Sequence, residues 1–143
     1  MMTLFQRMFR SFALCMIMLL AVPMAFAADE ISVMSVPGAT TVDSAKAKQL
    51  FDKKVPFIDL RNDKDWDAGR IPGAVHLDIK TKFNEKSLSK VAKKDGEVVM
   101  YCNGEKCLRS ADASKKAVKW GFTKVYYYRD GFPAWQHASY PVE

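Results

Sequence analysis

The sequence predicts an α/β domain built round a mainly parallel β-sheet, and three observations lead there. Short, mainly apolar runs occur at 55–60, 98–102 and 125–128. Runs of that kind belong to strands whose two faces are both covered, as in parallel sheets. Segments of helical spacing separate them, and the joins are rich in Gly, Pro, Asn and Asp, the punctuation of a strand–helix alternation.

The elements follow in order. Residues 28–40 are small and polar, with Pro37-Gly38, and read as a loop or loosely held arm. Asp43 can cap a helix over the following "SAKAKQLFDKK", where Ala45, Ala47, Leu50 and Phe51 form a short apolar face. "VPFIDLR" reads as a buried parallel strand with Pro56 near its start. "NDKDWDAGRIPGA" reads as a turn-rich connection, and "AVHLD" as another short strand. In 80–97, Leu88 and Val91 mark a small amphipathic helix among lysines that face solvent, ended by Asp95-Gly96. "EVVMYC" is the next strand and "LRSADASKKAVKWG" the next helix, stopped at Gly121. "KVYYYR" is a further strand and "DGFPAWQHA" a turn into a short helix.

The first residues carry a different signal. Arg7 and Arg10 precede an apolar run, Ser11 to Ala27, that ends in Ala25-Phe26-Ala27. This has the form of a secretory signal peptide over 1–27, with Cys15 removed along with it. The run is short for a membrane span and holds Pro23. The chain of 143 residues has a formal net charge of +6, and removal of Arg7 and Arg10 leaves +4. So mild a charge favours small anions slightly and gives no case for nucleic acid. The expected setting is periplasmic or secreted, with no membrane association once the signal is gone. Two cysteines in that setting can oxidise.

Those two, Cys102 and Cys107, lie in "MYCNGEKCLRSADASKKAVKWG", in the turn between a strand and a helix. Ligands of open α/β sheets gather at the carboxyl ends of strands, and Cys102 sits at such an end. The thiolate is the reactive form of cysteine. A helix amino terminus favours an anion by about 0.3–2 kcal/mol. Gly104 lets the backbone curl so that successive N–H groups face inward, and Lys106 adds a positive charge. Three readings stay open on the residues alone: a disulfide staple, a metal site, or a nucleophile with a helper. Free cysteines are often simply buried packing groups. A metal site needs more ligands, and His76 and His137 form no ligand-spaced pair.

The order of motifs resembles the rhodanese-like domain family. Its first half is matched by Asp59-Leu60-Arg61, Asp65-Trp66 and Gly69-Arg70-Ile71-Pro72-Gly73-Ala74, where Arg70 replaces the usual histidine. Its second half is matched by the strand-borne Cys102, the loop, the helix with Ser110 and Ala111, and Gly131 to Trp135. The resemblance implies a rhodanese fold over 41–143, a central mainly parallel sheet with helices on both faces. It also implies a sulfurtransferase that needs no metal or organic cofactor. Cys102 would be nucleophile and persulfide carrier, passing sulfane sulfur from thiosulfate or a polysulfide to a thiol or cyanide. The backbone N–H groups of Asn103, Gly104, Glu105, Lys106 and Cys107 would cradle the persulfide. Cys107 stands where a common rhodanese loop has arginine, so the loop is closer to exported members with Cys-x4-Cys, and Lys106 or Arg109 would serve as the cation for an anionic donor. Cys107 would modulate or resolve the persulfide. A phosphatase-type reading fails because Cys-x5-Arg would need arginine at Leu108. The rival classes are a thiol–disulfide redox protein using the same pair and a noncatalytic binding module.

Overall fold

The computed structural model describes residues 30–143; the expected signal peptide lies outside the described residues. Five strands form one parallel sheet: β1 (Ala39–Thr41), β2 (Phe57–Asp59), β3 (Val75–His76), β4 (Glu97–Tyr101) and β5 (Lys124–Tyr128). Their spatial order is β1-β5-β4-β2-β3, and every pairing is parallel. Five helices connect or flank them: α1 (Ser44–Asp52), α2 (Asp63–Asp67), α3 (Glu85–Ser89), α4 (Arg109–Lys119) and α5 (Gly131–His137).

The central strands explain the two-sided core. Side chains alternate along a strand, so Val98 and Met100 of β4 enter one apolar cluster, and Val99 and Tyr101 the other. The first cluster lies under α3 and α4, through Leu88, Ala113 and Ala117. The second lies under α1 and α5, through Ala47, Leu50, Phe132 and Trp135. Helices thus cover both faces, which is why the strands read as continuous apolar runs. Trp135 anchors the second cluster, with its ring 5.3 Å from Phe51 and 4.9 Å from Tyr140, while its N–H donates to Pro141 O at 2.7 Å.

Local chemistry sets the ends. Asp43 caps α1 by accepting from Lys46 N at 2.8 Å. Gly121, at φ +90°, follows α4 where a left-handed residue ends a helix. Three features depart from the sequence reading. The turn-rich connection contains α2, capped by Asn62, which accepts from Asp65 N at 2.8 Å. α3 is only five residues long and stops before Val91. The arm is not loose: Ser32 and Val36 are buried, and Ala39–Thr41 forms the edge strand β1 against β5. No helix among the described residues is long and apolar enough to cross a membrane.

Candidate active site: a disulfide loop at the carboxyl end of the sheet

β4 delivers Tyr101 into the core and ends there, so Cys102 falls at the carboxyl edge of the sheet's centre. The chain then turns through 103–108 into α4. Gly104, at φ +97°, makes this turn, and the Cys107 amide donates to its carbonyl at 3.0 Å. That amide therefore closes the loop on itself and is not open to an anion. The sequence reading has all the amides of 103–107 face a sulfur; the Cys107 amide is instead taken by Gly104 O.

A second turn supports the first. Gly131, at φ +64°, opens α5, and Phe132 N donates to Cys102 O at 2.9 Å. A Cβ at Gly131 would run into Cys102 O and Gly104 N. Only glycine lets these two backbones approach so closely.

Cys102 and Cys107 are joined as a disulfide, with Cα atoms 6.3 Å apart. The two halves differ in access. Cys102 is 0% exposed, whereas Cys107 is half-buried and lines an open cleft of about 410 Å³. With the disulfide closed, the expected nucleophile is covered and its partner is the cysteine that keeps exposed surface. Asn103, Lys106, Leu108, Arg109, Lys80 and Asp65 complete the cleft wall. Of the predicted site residues, Asn103, Lys106, Cys107 and Arg109 are thus brought together, while Cys102, Gly104 and Glu105 lie outside the wall.

Glu105 is instead a tether. Its carboxylate meets the buried Arg129 at 3.0 Å, and its carbonyl accepts from Ser32 N at 2.8 Å. Arg129 also donates to Ser32 O at 3.1 and 3.3 Å. The N-terminal arm and the loop are therefore fastened together through one guanidinium.

On the other side, Asn103 donates to Asp65 Oδ2 at 2.7 Å and accepts from Arg61 at 3.4 Å. Arg61 grips Asp59 with Nε at 2.9 Å and Nη2 at 2.6 Å, and gives a further bond to Gly69 O at 2.7 Å. Burial opposes the Arg61 charge, but the Asp59 carboxylate outweighs it and holds the guanidinium pKa up. Tyr101 donates to the same carboxylate at 2.7 Å. Burial, then the adjacent Asp59 charge, pushes the Tyr101 phenol far above its ordinary value. Asp59 and Arg61 thus hold loops together.

Arg70 stacks 4.4 Å over Trp66, whose ring lies 4.6 Å from His76 in a parallel stack. Its Nε also pairs with Glu143 at 2.8 Å. Among the described residues, no group of three or more His, Cys, Asp or Glu could hold a metal. Sequence reasoning missed Arg129 and Ser32, whose partners are remote in the chain. Lys80, read as part of a solvated face, is exposed as expected and also lines the cleft.

Comparison with known proteins gives these matches. A family model described as "Rhodanese-like domain" matches residues 41–138. The thiosulfate sulfurtransferase GlpE of Pseudomonas fluorescens is 31% identical over 97 residues, covering 68% of this chain and 84% of that protein. A tRNA uridine(34) hydroxylase of Buchnera aphidicola is 33% identical over 93 residues, covering 62% of this chain; the chain spans only 28% of that protein's length. Among solved structures, the BH2092 protein of Bacillus halodurans has a TM-score of 0.64 at 24% identity, over 73% of this chain and 76% of that one. That last likeness carries the fold alone.

Proposed function

Because the chain belongs to the rhodanese-like domain family, we propose that it is a sulfurtransferase working through a persulfide on Cys102, with Cys107 as the resolving thiol. The observation that carries this reading is the cysteine pair itself. One sulfur follows the central strand directly, the other lies five residues on, and they are close enough to bond. The likeness to a thiosulfate sulfurtransferase supports the class.

In the reduced protein, the Cys102 thiolate attacks the outer sulfur of an anionic donor such as thiosulfate or a polysulfide. With thiosulfate, the S–S bond of the donor breaks, sulfite leaves with the electron pair, and Cys102 holds a persulfide. An acceptor thiolate or cyanide then takes the outer sulfur and returns Cys102 as thiolate. Resolution is the alternative exit. The Cys107 thiolate attacks the inner sulfur, hydrosulfide departs, and the disulfide closes. Lys80, Lys106 and Arg109 in the cleft wall supply positive charge for the anionic donor. The reading extends to export by residues 1–27, an arm over 28–40 and a catalytic domain over 41–143, acting in the periplasm or outside the cell.

A second reading, a thiol–disulfide redox protein, is favoured by the closed disulfide. The test is mass spectrometry of the reduced mature protein after exposure to thiosulfate or polysulfide. One added sulfur is expected on the wild type and on Cys107→Ser, and none on Cys102→Ser. Loading that survives Cys102→Ser rejects the assignment. Slow alkylation of Cys102 in the reduced protein near neutral pH, with no loading of any form, would leave a noncatalytic binding module.

A further inference from the structure

We propose that the oxidised protein is itself a reactive form: a small anionic sulfur nucleophile, hydrosulfide being the simplest, attacks Cys107 and expels Cys102. The point of attack follows from access. Thiolate exchange needs approach to a sulfur, and Cys102 offers no surface while Cys107 lines the cleft. The kind of nucleophile follows from charge. The wall carries Lys80 and Arg109, together with Lys106, which has a partner of its own, and one carboxylate, Asp65, which accepts from Asn103. An anion gains there and a cation loses. The later departure of Cys107 as thiolate, in the second transfer, is also favoured. The chain enters α4 directly after Cys107, and Leu108 at the helix N-cap provides no side-chain cap. Backbone N–H groups at such an end favour negative charge.

The step balances. Hydrosulfide forms a bond to Cys107 Sγ, the Cys107–Cys102 bond breaks, and its electron pair leaves on Cys102 as thiolate. The product is a Cys107 persulfide that keeps the hydrosulfide proton on its outer sulfur. Sulfide sulfur has been oxidised and the disulfide is the oxidant, so no external sulfane donor is needed. The Cys102 thiolate then attacks that outer sulfur, and Cys107 leaves as thiolate. The sulfur now sits where the proposed sulfurtransferase reaction delivers it to an acceptor. Only this last delivery rests on the sulfurtransferase reading. Each disulfide loads one sulfur.

The sequence provides a simple readout, because cleavage after Lys106 puts Cys102 and Cys107 on different peptides. The oxidised mature protein is mixed with hydrosulfide, trapped with iodoacetamide at short and long delays, digested with trypsin and mapped by mass spectrometry. At short delay the extra sulfur should lie on the Cys107 peptide, with Cys102 alkylated directly. At long delay it should move to Cys102. Extra sulfur appearing first on Cys102, or an intact disulfide, overturns the proposal. A second arm compares 2-mercaptoethanesulfonate with cysteamine at matched thiolate concentration. The anionic thiol should open the disulfide faster, and Lys106→Gln with Arg109→Gln should cut that preference by about fivefold or more. Equal rates for both thiols on the wild type overturn the role given to the cleft. Loading of the reduced protein by thiosulfate tests the sulfurtransferase reading separately, so either result can fail while the other stands.

Discussion

Replacement of Arg61 by methionine should destabilise the domain severely, and the structure gives the scale. Arg61 is 2% exposed and Asp59 0%. Arg61 gives that carboxylate hydrogen bonds from Nε and Nη2, and reaches Gly69 O and Asn103 besides. Without it, Asp59 keeps only the Tyr101 hydroxyl and the Arg61 backbone N–H as donors. A buried charge left without its counter-charge costs about 3–5 kcal/mol. Typical domains have about 5–15 kcal/mol in total, so Arg61→Met should lose a large share. Asp59→Asn should also be strongly destabilising, because it leaves the guanidinium facing a neutral amide. The double variant should cost clearly less than the two single costs combined, since no lone charge remains. Urea unfolding of the four proteins at fixed pH completes the cycle. A loss below about 1 kcal/mol for Arg61→Met, or plain additivity in the double variant, would show that the pair is not the keystone described.

Three other perturbations have distinct signatures. Gly131→Ala should lower stability by about 2 kcal/mol or more, because it adds left-handed strain and a clash with Cys102 O and Gly104 N; a wild-type urea midpoint would contradict the close approach of the two turns. Reduction of the disulfide should cost only about 2 kcal/mol, because the closed loop is short and joins cysteines five positions apart; a loss above about 4 kcal/mol in thermal unfolding with and without dithiothreitol would mean that it fixes more than this turn. Burial pushes the Tyr128 phenol up to about 12, offset in part by its bond to Ser44 and reinforced by nearby acidic groups. The folded state then holds a proton that the unfolded chain releases near pH 10. Stability contributed by that phenol is intact below pH 10 and falls as pH rises towards 12, by about 1.4 kcal/mol per pH unit. Tyr101, shifted the same way, steepens the fall. Tyr128→Phe should flatten the alkaline limb of a urea-midpoint profile; an unchanged slope would refute the assignment.

The parts legible in sequence are those whose physics is local. The β4 and β5 runs announce strands covered on both faces, and Asp43 announces the start of α1 three residues before the amide it caps. The position of Cys102 at a strand end is equally local. The rest depends on partners distant in the chain. β1 is only three residues long with two of them exposed, and exists because Ala39–Thr41 pairs with Val125–Tyr127. Arg129 reads as an ordinary charge after a strand until it meets Ser32, 97 residues away. Asn103 reads as a loop residue until Asp65 and Arg61 hold it. The motif therefore names two sulfurs with the right chemistry, and their order of exposure is decided elsewhere. Gly131 packs against the backbone of Cys102, while Arg129 and Ser32 hold Glu105. Held between these contacts, the loop covers the first cysteine and presents the second. Loosening the Arg129 tether, as in Arg129→Gln, should then expose Cys102 in the oxidised protein and spread hydrosulfide attack over both sulfurs in the peptide map. A map that stays confined to Cys107 would show that the loop sets its own exposure without the arm.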